Sequence, residues 1–284
     1  MKIAQIWIHP VKSMVGEAVE AAELDELGLV GDRIWATRDL DADGIRGAKK
    51  IGGLMRLAAR RLDPASRWFD DAVEIMFPDG RRFTSDDPDL DAVLSEEIGR
   101  RVTLQHLRPA EDLDHYRRGR PDSDDVMAEL RGVFGRDPDE PLPDLGQFPP
   151  VIMEYESPPG TYHDCWPLMV MSTSALRSLA EAVPDSVVDV RRFRPSFVID
   201  TGDEPGHPEF SWTGRRAQIG TAEIEFIGPC PRCVMVTRAV GSDIPEDRAV
   251  LRHIVRDLDQ NVGAYAKVVR PGAFAVGDAV VFGA

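Results

Sequence analysis

The stretch AEIEFIGPCPRCVMVT, residues 222–237, joins an alternating apolar segment to a pair of cysteines. Residues 222–228 show the period-two alternation of a β-strand that buries one face. The strand runs into Cys230, Pro231, Arg232 and Cys233, where the proline favours a turn. The pattern predicts a β-rich fold that presents two thiols at the end of a strand.

Spacing alone leaves several roles open for the two thiols. A zinc site needs four ligands, usually a second Cys-x-x-Cys pair or histidines at set spacing, and His207 and His253 stand at no such spacing. A thioredoxin-type disulfide places its first cysteine at a helix N-terminus, whereas residues 234–240 look like a strand. The pair is also compatible with a plain tight turn, or with one soft thiolate that binds another metal.

The amino-acid composition limits the number of domains and the kinds of partner that the protein can have. The chain has 284 residues, 43% of them hydrophobic, which is enough for about two domains with substantial cores. A net charge of −15 disfavours nucleic acid and anionic membranes as main partners, because both require clustered cations. The first residues show no secretion signal, and no apolar run is long enough to span a membrane. With three cysteines we expect a protein of the reducing cytoplasm.

The order of elements predicts an α+β, β-rich fold made of two β-barrels with a few helices, rather than a parallel α/β sheet. We expect an N-terminal β-barrel domain at 1–108, an acidic proline-rich excursion at 109–154 and a C-terminal β-barrel domain at 155–284, whose barrel the first strands could join. The predicted strands are 2–8, 17–24, 33–40, 54–62, 72–77, 102–107, 165–171, 196–200, 217–220, 222–228, 264–270 and 277–283. The predicted helices are 87–99, 126–134, 172–183 and 244–258.

The excursion is rich in prolines and acids from residue 110 to 150. Such a composition is typical of a solvated loop, and it is also compatible with a lid or with a docking segment for a basic partner. The acids expected to form that docking surface are Asp122, Asp124, Asp125, Asp137, Asp139 and Glu140.

Two segments combine a proline with cations at strand ends, HPVKS at 9–13 and RRFRPSF at 191–197. If they converge with the cysteine pair, they form a basic pocket in an acidic protein. Such a pocket suits a small anion that carries a phosphate, since arginine offers paired donors and lysine a point charge. A thiolate beside it could bind a metal carried by that anion.

Several ordered motifs, taken together, resemble the family in which a MOSC domain follows a MOSC N-terminal β-barrel domain. That family includes the mitochondrial amidoxime-reducing component and its bacterial relatives. The motifs span nearly the whole chain, and each is weak by itself. They are HPVKSM (9–14), GLVGDRIW (28–35), PLMVMSTSAL (167–176), RFRPSFVID (192–200), FSW (210–212), GPCPRCVMVT (228–237) and VGDAVVF (276–282).

The resemblance implies binding of the molybdenum cofactor, a pterin dithiolene with one phosphate. In the family's C-x-R-C motif the second cysteine binds molybdenum, so Cys233 is expected to be the metal ligand and catalytic residue, and Cys230 a structural one. The remaining positions that match the family's cofactor contacts are Lys12, Ser13, Arg33, Ser172, Thr173, Ser174, Arg194, Pro231 and Arg232.

The resemblance further implies an oxidoreductase that reduces N-hydroxylated or N-oxide small molecules. The chain has no flavin, haem or iron–sulfur motif, so the electrons would come from a separate protein of the reductase, flavodoxin, ferredoxin or cytochrome type. His163 is a candidate proton donor. The alternative is a non-catalytic module that carries or stores the cofactor, or a sulfur carrier.

Two departures from the family affect the substrate more than the cofactor. Ser196 replaces the asparagine that usually follows F-R-P, and GAKKIGGLMRLAARR at 47–61 replaces T-x-R-Q-x-P-R-L. Lys49 and Lys50 either supply the missing charge or mark a different entrance for the substrate.

Overall fold

A computed structural model describes residues 1–63 and 72–283. The chain is α+β and rich in strands, as the sequence predicts. The strands are β1 Lys2–Ile8, β2 Glu17–Val19, β3 Ala21–Asp25, β4 Gly28–Leu29, β5 Trp35–Asp39, β6 Gly44–Ile45, β7 Ala58–Arg61, β8 Val73–Met76, β9 Arg82–Thr84, β10 Val102–His106, β11 Leu168–Ser172, β12 Phe197–Asp200, β13 Arg216–Ile219, β14 Ala222–Pro231, β15 Asn261–Arg270, β16 Gly272–Ala275 and β17 Val280–Phe282.

The helices are short and lie between the strands. They are α1 Leu90–Ile98, α2 Leu113–Tyr116, α3 Val126–Phe134, α4 Val151–Glu154, α5 Thr173–Ala182, α6 Val190–Phe193 and α7 Ala249–Asp257, with 3₁₀ turns at Gly52–Arg56, Leu145–Gln147, Pro208–Trp212 and Val234–Thr237. Within the described residues, no helix has both the length and the apolar character needed to cross a bilayer.

The largest sheet has eight strands in the order β17-β13-β14-β15-β11-β12-β1-β2. The N-terminal strand therefore belongs to the C-terminal sheet: β1 runs antiparallel to β12, with Ile6 opposite Phe197. A smaller sheet pairs β16 with β3 and β4. The boundaries of the three predicted segments stay a prediction.

The core of this sheet follows from the alternation read in the sequence. Along β14, residues 222, 224 and 226 are buried and their neighbours are partly exposed. Phe226 packs against Trp212 and Phe282, with ring centroids 5.0 and 5.8 Å away. Burying each such side chain contributes about 1.5–3 kcal/mol. These aromatic contacts hold β14 in place and so fix where its last residues point.

A second core lies under β5–β10 and α1, and it includes Val11, Leu54 and Leu94. Residues from the far C-terminal side, Met235, Val240 and Ile244, belong to the same core, and the partly buried Cys233 packs against it. The end of β14 therefore sits at the seam between the two halves of the molecule.

Several predicted elements differ in the structure; the strand expected at 17–24, for example, is two strands, β2 and β3, in different sheets. Residues 54–62 do not form one strand: a 3₁₀ turn covers Gly52–Arg56 and only Ala58–Arg61 is extended. Leu54 and Met55 are both buried, which a strand with one buried face does not allow for adjacent residues. The helix expected at 244–258 begins later, at Ala249, and Pro245 lies outside it.

Candidate functional site

The loop after β1 carries a lysine into the protein interior. Lys12 is 3% exposed, and its Nζ lies 2.6 Å from Asp164 Oδ1, 2.8 Å from the Tyr162 carbonyl and 3.3 Å from Ser157 Oγ. Burial lowers the pKa of Lys12, and Asp164 opposes that shift. The next residue, Ser13, has a left-handed backbone with φ of 74° and accepts a hydrogen bond from the Ala48 amide.

Asp164 holds a second cation. Lys49 Nζ lies 3.4 Å from Asp164 Oδ2. Burial alone would lower the pKa of Lys49, but Asp164 and Cys233 raise it above its ordinary value. The two lysines in turn hold the pKa of Asp164 well below its usual range, although desolvation acts the other way. One carboxylate thus keeps two ammonium groups charged beside Cys233.

Two arginines, Arg33 and Arg194, contact the loop that follows β1. Arg33 donates to Asp32, a buried carboxylate that also accepts from the His9 amide at 2.6 Å. Desolvation would raise the pKa of Asp32, but Arg33 and His9 hold it below its usual range. Arg194 is 6% exposed and donates through Nη1 to the Met14 carbonyl.

Arg194 is unusual because its Nη2 is buried and has no hydrogen-bond partner within the described residues. Burial and the nearby Arg33 lower the pKa of Arg194 to about 9. A buried donor left without an acceptor costs about 1–3 kcal/mol, and more when it is charged. A bound anion would supply the acceptor that Arg194 Nη2 lacks.

The cysteine loop lies against the arginine segment. Arg232 Nη2 donates to the Phe193 carbonyl at 2.7 Å, one residue before Arg194, and Nη1 lies 3.3 Å from Cys230 Sγ. Pro231 ends β14 opposite Asn261. Burial raises the pKa of the Cys230 thiol although Arg232 opposes it. Cys233 follows at the start of a 3₁₀ turn, where the sequence predicted a strand.

Two domain-family models match this chain. A model of the MOSC N-terminal beta barrel domain matches residues 1–65, and a model of the MOSC domain matches residues 158–281. The chain is a MOSC domain protein with a MOSC N-terminal β-barrel domain. The resemblance stated from the motifs is confirmed. MOSC domains are associated with binding of the molybdenum cofactor.

A curated relative is mitochondrial amidoxime reducing component 2 of Bos taurus, 25% identical over 249 residues that cover 83% of this chain. The chain spans 66%, just under two thirds, of that relative's length. Among solved structures, the YUAD protein from Bacillus subtilis is 13% identical with a TM-score of 0.44, covering 99% of this chain and 94% of its own. YiiM from Geobacillus stearothermophilus is 14% identical with a TM-score of 0.30, covering 42% and 55%.

Three of the predicted cofactor contacts of the MOSC domain have other partners in the structure. Ser172 caps α5 and donates to the buried Glu209 at 2.6 Å, while Thr173 and Ser174 lie 3.4 and 2.7 Å from Thr201 Oγ1. They follow the C-terminal end of β11, beside the end of β12, whereas Arg194 precedes β12. Their contact with a cofactor stays a prediction, as does that of Lys12, Ser13, Arg33, Arg194, Pro231, Arg232 and Cys233.

His163 occupies a structural position in the MOSC domain. Its buried ring donates from Nε2 to the Leu27 carbonyl at 2.9 Å. Burial, with a contribution from Arg33, lowers the pKa of His163 to about 4. The ring is therefore neutral at neutral pH, and its one N–H is already engaged, which disfavours it as the proton donor.

The acidic excursion covers the cysteine loop, a contact that no motif in the sequence predicts. Arg136 is buried and donates from Nη2 to the Arg232 carbonyl at 3.1 Å and to Gln260 Oε1 at 2.9 Å. The Cys233 thiolate also acts on Arg136, partly offsetting the fall in the pKa of Arg136 to about 10 that burial causes. Gly135 lies against Val234, so close that a Cβ would come within 3.2 Å.

Most of the acids expected to form a docking surface instead form ion pairs or a helix cap that hold the excursion in place. Asp137 pairs with Arg248 and Arg252, and Glu140, 6% exposed, pairs with Arg252. Asp122 pairs with Arg46, Lys50 and Arg100, and Asp125 caps α3. The excursion is therefore bound to both halves of the molecule by ion pairs and is not a solvated loop.

We predict that Arg136→Gln loosens both the excursion and the cysteine loop, because it removes charge-assisted hydrogen bonds worth about 1.5–3 kcal/mol each. Backbone hydrogen exchange should become at least about tenfold faster in residues 126–140 and 230–234. The matched control is Arg131→Gln, since Arg131 donates only to the carbonyls of Asp137 and Glu140 within the excursion. Unchanged exchange at residues 230–234 in Arg136→Gln would contradict the contact.

We also predict that His163 makes the protein labile to acid. The pKa of His163 is about 4 in the folded protein against 6.5 for a free histidine, so below pH 6.5 the unfolded chain takes up a proton that the folded chain refuses. Lowering the pH from 6.5 to 5 should cost about 1.5 kcal/mol of unfolding free energy through this group. Urea titrations of His163→Gln should lack that loss, while His253→Gln, a surface change, should keep it.

Proposed function

We propose that this protein is a molybdenum-cofactor-dependent oxidoreductase that reduces N-hydroxylated or N-oxide small molecules. The observation that carries the proposal is a cluster of four cations, Lys12, Arg33, Lys49 and Arg194, that all act on or respond to Asp164, together with Cys233, which acts on Lys49. The curated relative supplies the substrate class by its name, amidoxime reducing component.

The residues fit the cofactor chemically. A dithiolene-bound molybdenum takes a soft thiolate, and Cys233 supplies one at the end of a rigid strand. The cofactor's phosphate needs charged donors, and Arg194 has a buried Nη2 without a partner. When bound, the cofactor supplies two-electron oxygen-atom transfer.

The side chains would contribute to phosphate binding in different ways, some as hydrogen-bond donors and others by charge. Arg194 offers a donor, whereas Lys12 already has three acceptors for its three N–H bonds and contributes mainly its charge. Arg33 is paired with Asp32, so it adds charge and orients the loop. Arg232 fixes the cysteine turn between the Phe193 carbonyl and Cys230.

Electrons would come from a separate donor protein, since the sequence contains no flavin, haem or iron–sulfur motif. The acids expected to dock a basic donor are largely bound within the molecule, which removes the charge argument for a basic partner. The class of electron donor is therefore to be identified by measuring turnover with reductase, flavodoxin, ferredoxin and cytochrome donors. A carrier or storage module is the outcome if cofactor is present without turnover.

The direct test is elemental analysis of protein purified from molybdate-supplemented cells, followed by reduction of benzamidoxime with a chemical reductant. We expect one molybdenum and one phosphorus per chain and formation of benzamidine. Absence of both elements would overturn the cofactor, and their presence without benzamidine would favour the carrier.

We predict that Cys233→Ser abolishes benzamidoxime reduction and that Cys230→Ser retains much of it. A serine oxygen is a harder and weaker ligand than a thiolate, whereas Cys230 is a buried thiol that contacts Arg232. Molybdenum content and turnover are measured on both variants. Equal loss of turnover, with molybdenum retained in both, would contradict a single thiolate ligand at Cys233.

We predict that Arg194→Gln binds the cofactor about tenfold to a hundredfold more weakly, because a charge-assisted hydrogen bond contributes about 1.5–3 kcal/mol. Phosphorus and molybdenum retained after dialysis give the measurement. Arg191→Gln is the matched control, since the neighbouring Arg191 pairs at the surface with Asp189 and Asp243. Full retention in Arg194→Gln would place the phosphate elsewhere.

A further inference from the structure

Residues 121–142, the part of the excursion that covers the cysteine loop, are held differently from the cores of the molecule. We call this segment, all of which the structure describes, the lid. Its only buried side chains are those of Arg136 and Glu140, and both residues are ionisable. Helix α3, which forms the middle of the lid, has no fully buried residue. A segment with few buried apolar contacts opens at a lower free energy than the cores beside it.

Ion pairs attach the lid to the N-terminal half. Asp122 Oδ2 lies 3.4 Å from Lys50 Nζ, and Glu129 pairs with the same ammonium group. Lys50 directly follows Lys49, the lysine whose pKa Cys233 helps to raise. This attachment therefore lies beside the candidate site.

A second set of ion pairs attaches the lid to α7 and the residue before it. Asp137 lies 2.8 Å from Arg248 and 2.8 Å from Arg252, and Glu140 pairs with Arg252. The lid is thus held at both ends by charge, and attraction between partly exposed charges weakens as salt screens it.

The lid contacts the residue on each side of Cys233. Arg136 Nη2 donates to the Arg232 carbonyl at 3.1 Å, and a Cβ built at Gly135 would lie 3.2 Å from Val234 Cβ. A molecule that approaches Cys233 from this side therefore meets the lid first.

The chain on either side of the lid is anchored to the rest of the protein. The Arg120 amide donates to the Ala42 carbonyl at 2.7 Å, and Tyr116 is buried in an apolar cluster. At the other end Pro143 is buried. These anchors confine an opening movement to the lid itself.

We propose that the lid is a gate that opens to admit ligands to Cys233, and that ion pairs hold it closed. Raising the ionic strength then opens the gate more often, because screening weakens the pairs on both sides while the apolar cores remain intact. The identification of the cofactor as the ligand that passes the gate rests on the proposed function. The gate itself is a property of the chain without any ligand.

The test measures how fast iodoacetamide, a neutral thiol reagent, alkylates Cys233 in the full chain purified from cells grown without molybdate. Peptide mass spectrometry gives the rate at each cysteine. Between 0.05 and 0.5 M NaCl the screening length falls from about 14 Å to about 4 Å, and we expect alkylation of Cys233 to become about tenfold faster. Cys165 and Cys230, which are 6% and 4% exposed, should keep their slow rates.

Two variants test the two attachments separately. Glu129→Gln removes an ion pair to the N-terminal half, and Arg252→Gln removes the pairs of Asp137 and Glu140 with α7. Each should speed alkylation of Cys233 about threefold at low salt and reduce its dependence on salt. The matched control is Arg270→Gln, which breaks an ion pair with Glu223 outside the lid and should behave as the wild type.

The outcomes judge the gate independently of the proposed function, since alkylation requires neither molybdenum nor turnover. A Cys233 rate that ignores both salt and the two lid variants would overturn the gate, even in a protein that reduces benzamidoxime. Equal acceleration at Cys165 and Cys230, or in Arg270→Gln, would also overturn it by showing a general loosening of the fold. Selective acceleration at Cys233 would support the gate even if the protein holds no molybdenum.

Discussion

The ion pair between Lys12 and Asp164, 2.6 Å from Nζ to Oδ1, is the contact on which the site depends. It ties the loop after β1 to the segment that begins the MOSC domain, 152 residues later in the chain. Because Lys12 is buried, an ammonium left there without its carboxylate would be costly. The same carboxylate retains Lys49, so one acid makes a cluster of cations possible around Cys233.

The excursion shows how an acidic protein can enclose a basic site. Its acids face inward to Arg46, Lys50, Arg248 and Arg252, and its single deeply buried cation, Arg136, reaches the cysteine loop. The negative net charge of the whole chain therefore does not describe the local charge of the enclosed site, which is basic. The cover also gives Cys233 a wall made by residues far from it in sequence.

Sequence reasoning predicted what local patterns determine. Helix α3 was placed at 126–134, as observed, because an aspartate cap and a glycine end mark it. The expectation that Lys12, Arg33 and Arg194 lie near Cys233 came from motif resemblance and stays a prediction. Asp164 and Arg136 were missed, because an isolated acid and an arginine in an acidic loop have no local signature. The assignment of residues 172–174 to the site also stays a prediction, because motif order says nothing about which end of a strand faces a pocket.

Three residues of the site, Ser13, Arg33 and Arg194, have left-handed backbones, with φ of 74°, 52° and 57°. A side chain other than glycine in this conformation costs about 1 kcal/mol or more, and surrounding structure must hold it there. Glycine would relax each position but would remove the hydroxyl or the guanidinium. The left-handed backbone at these positions thus lowers folding stability where it sets the direction of the side chains. Efforts to make this protein more heat-resistant by consensus or glycine substitution should therefore avoid these three positions and look to the strands far from the seam.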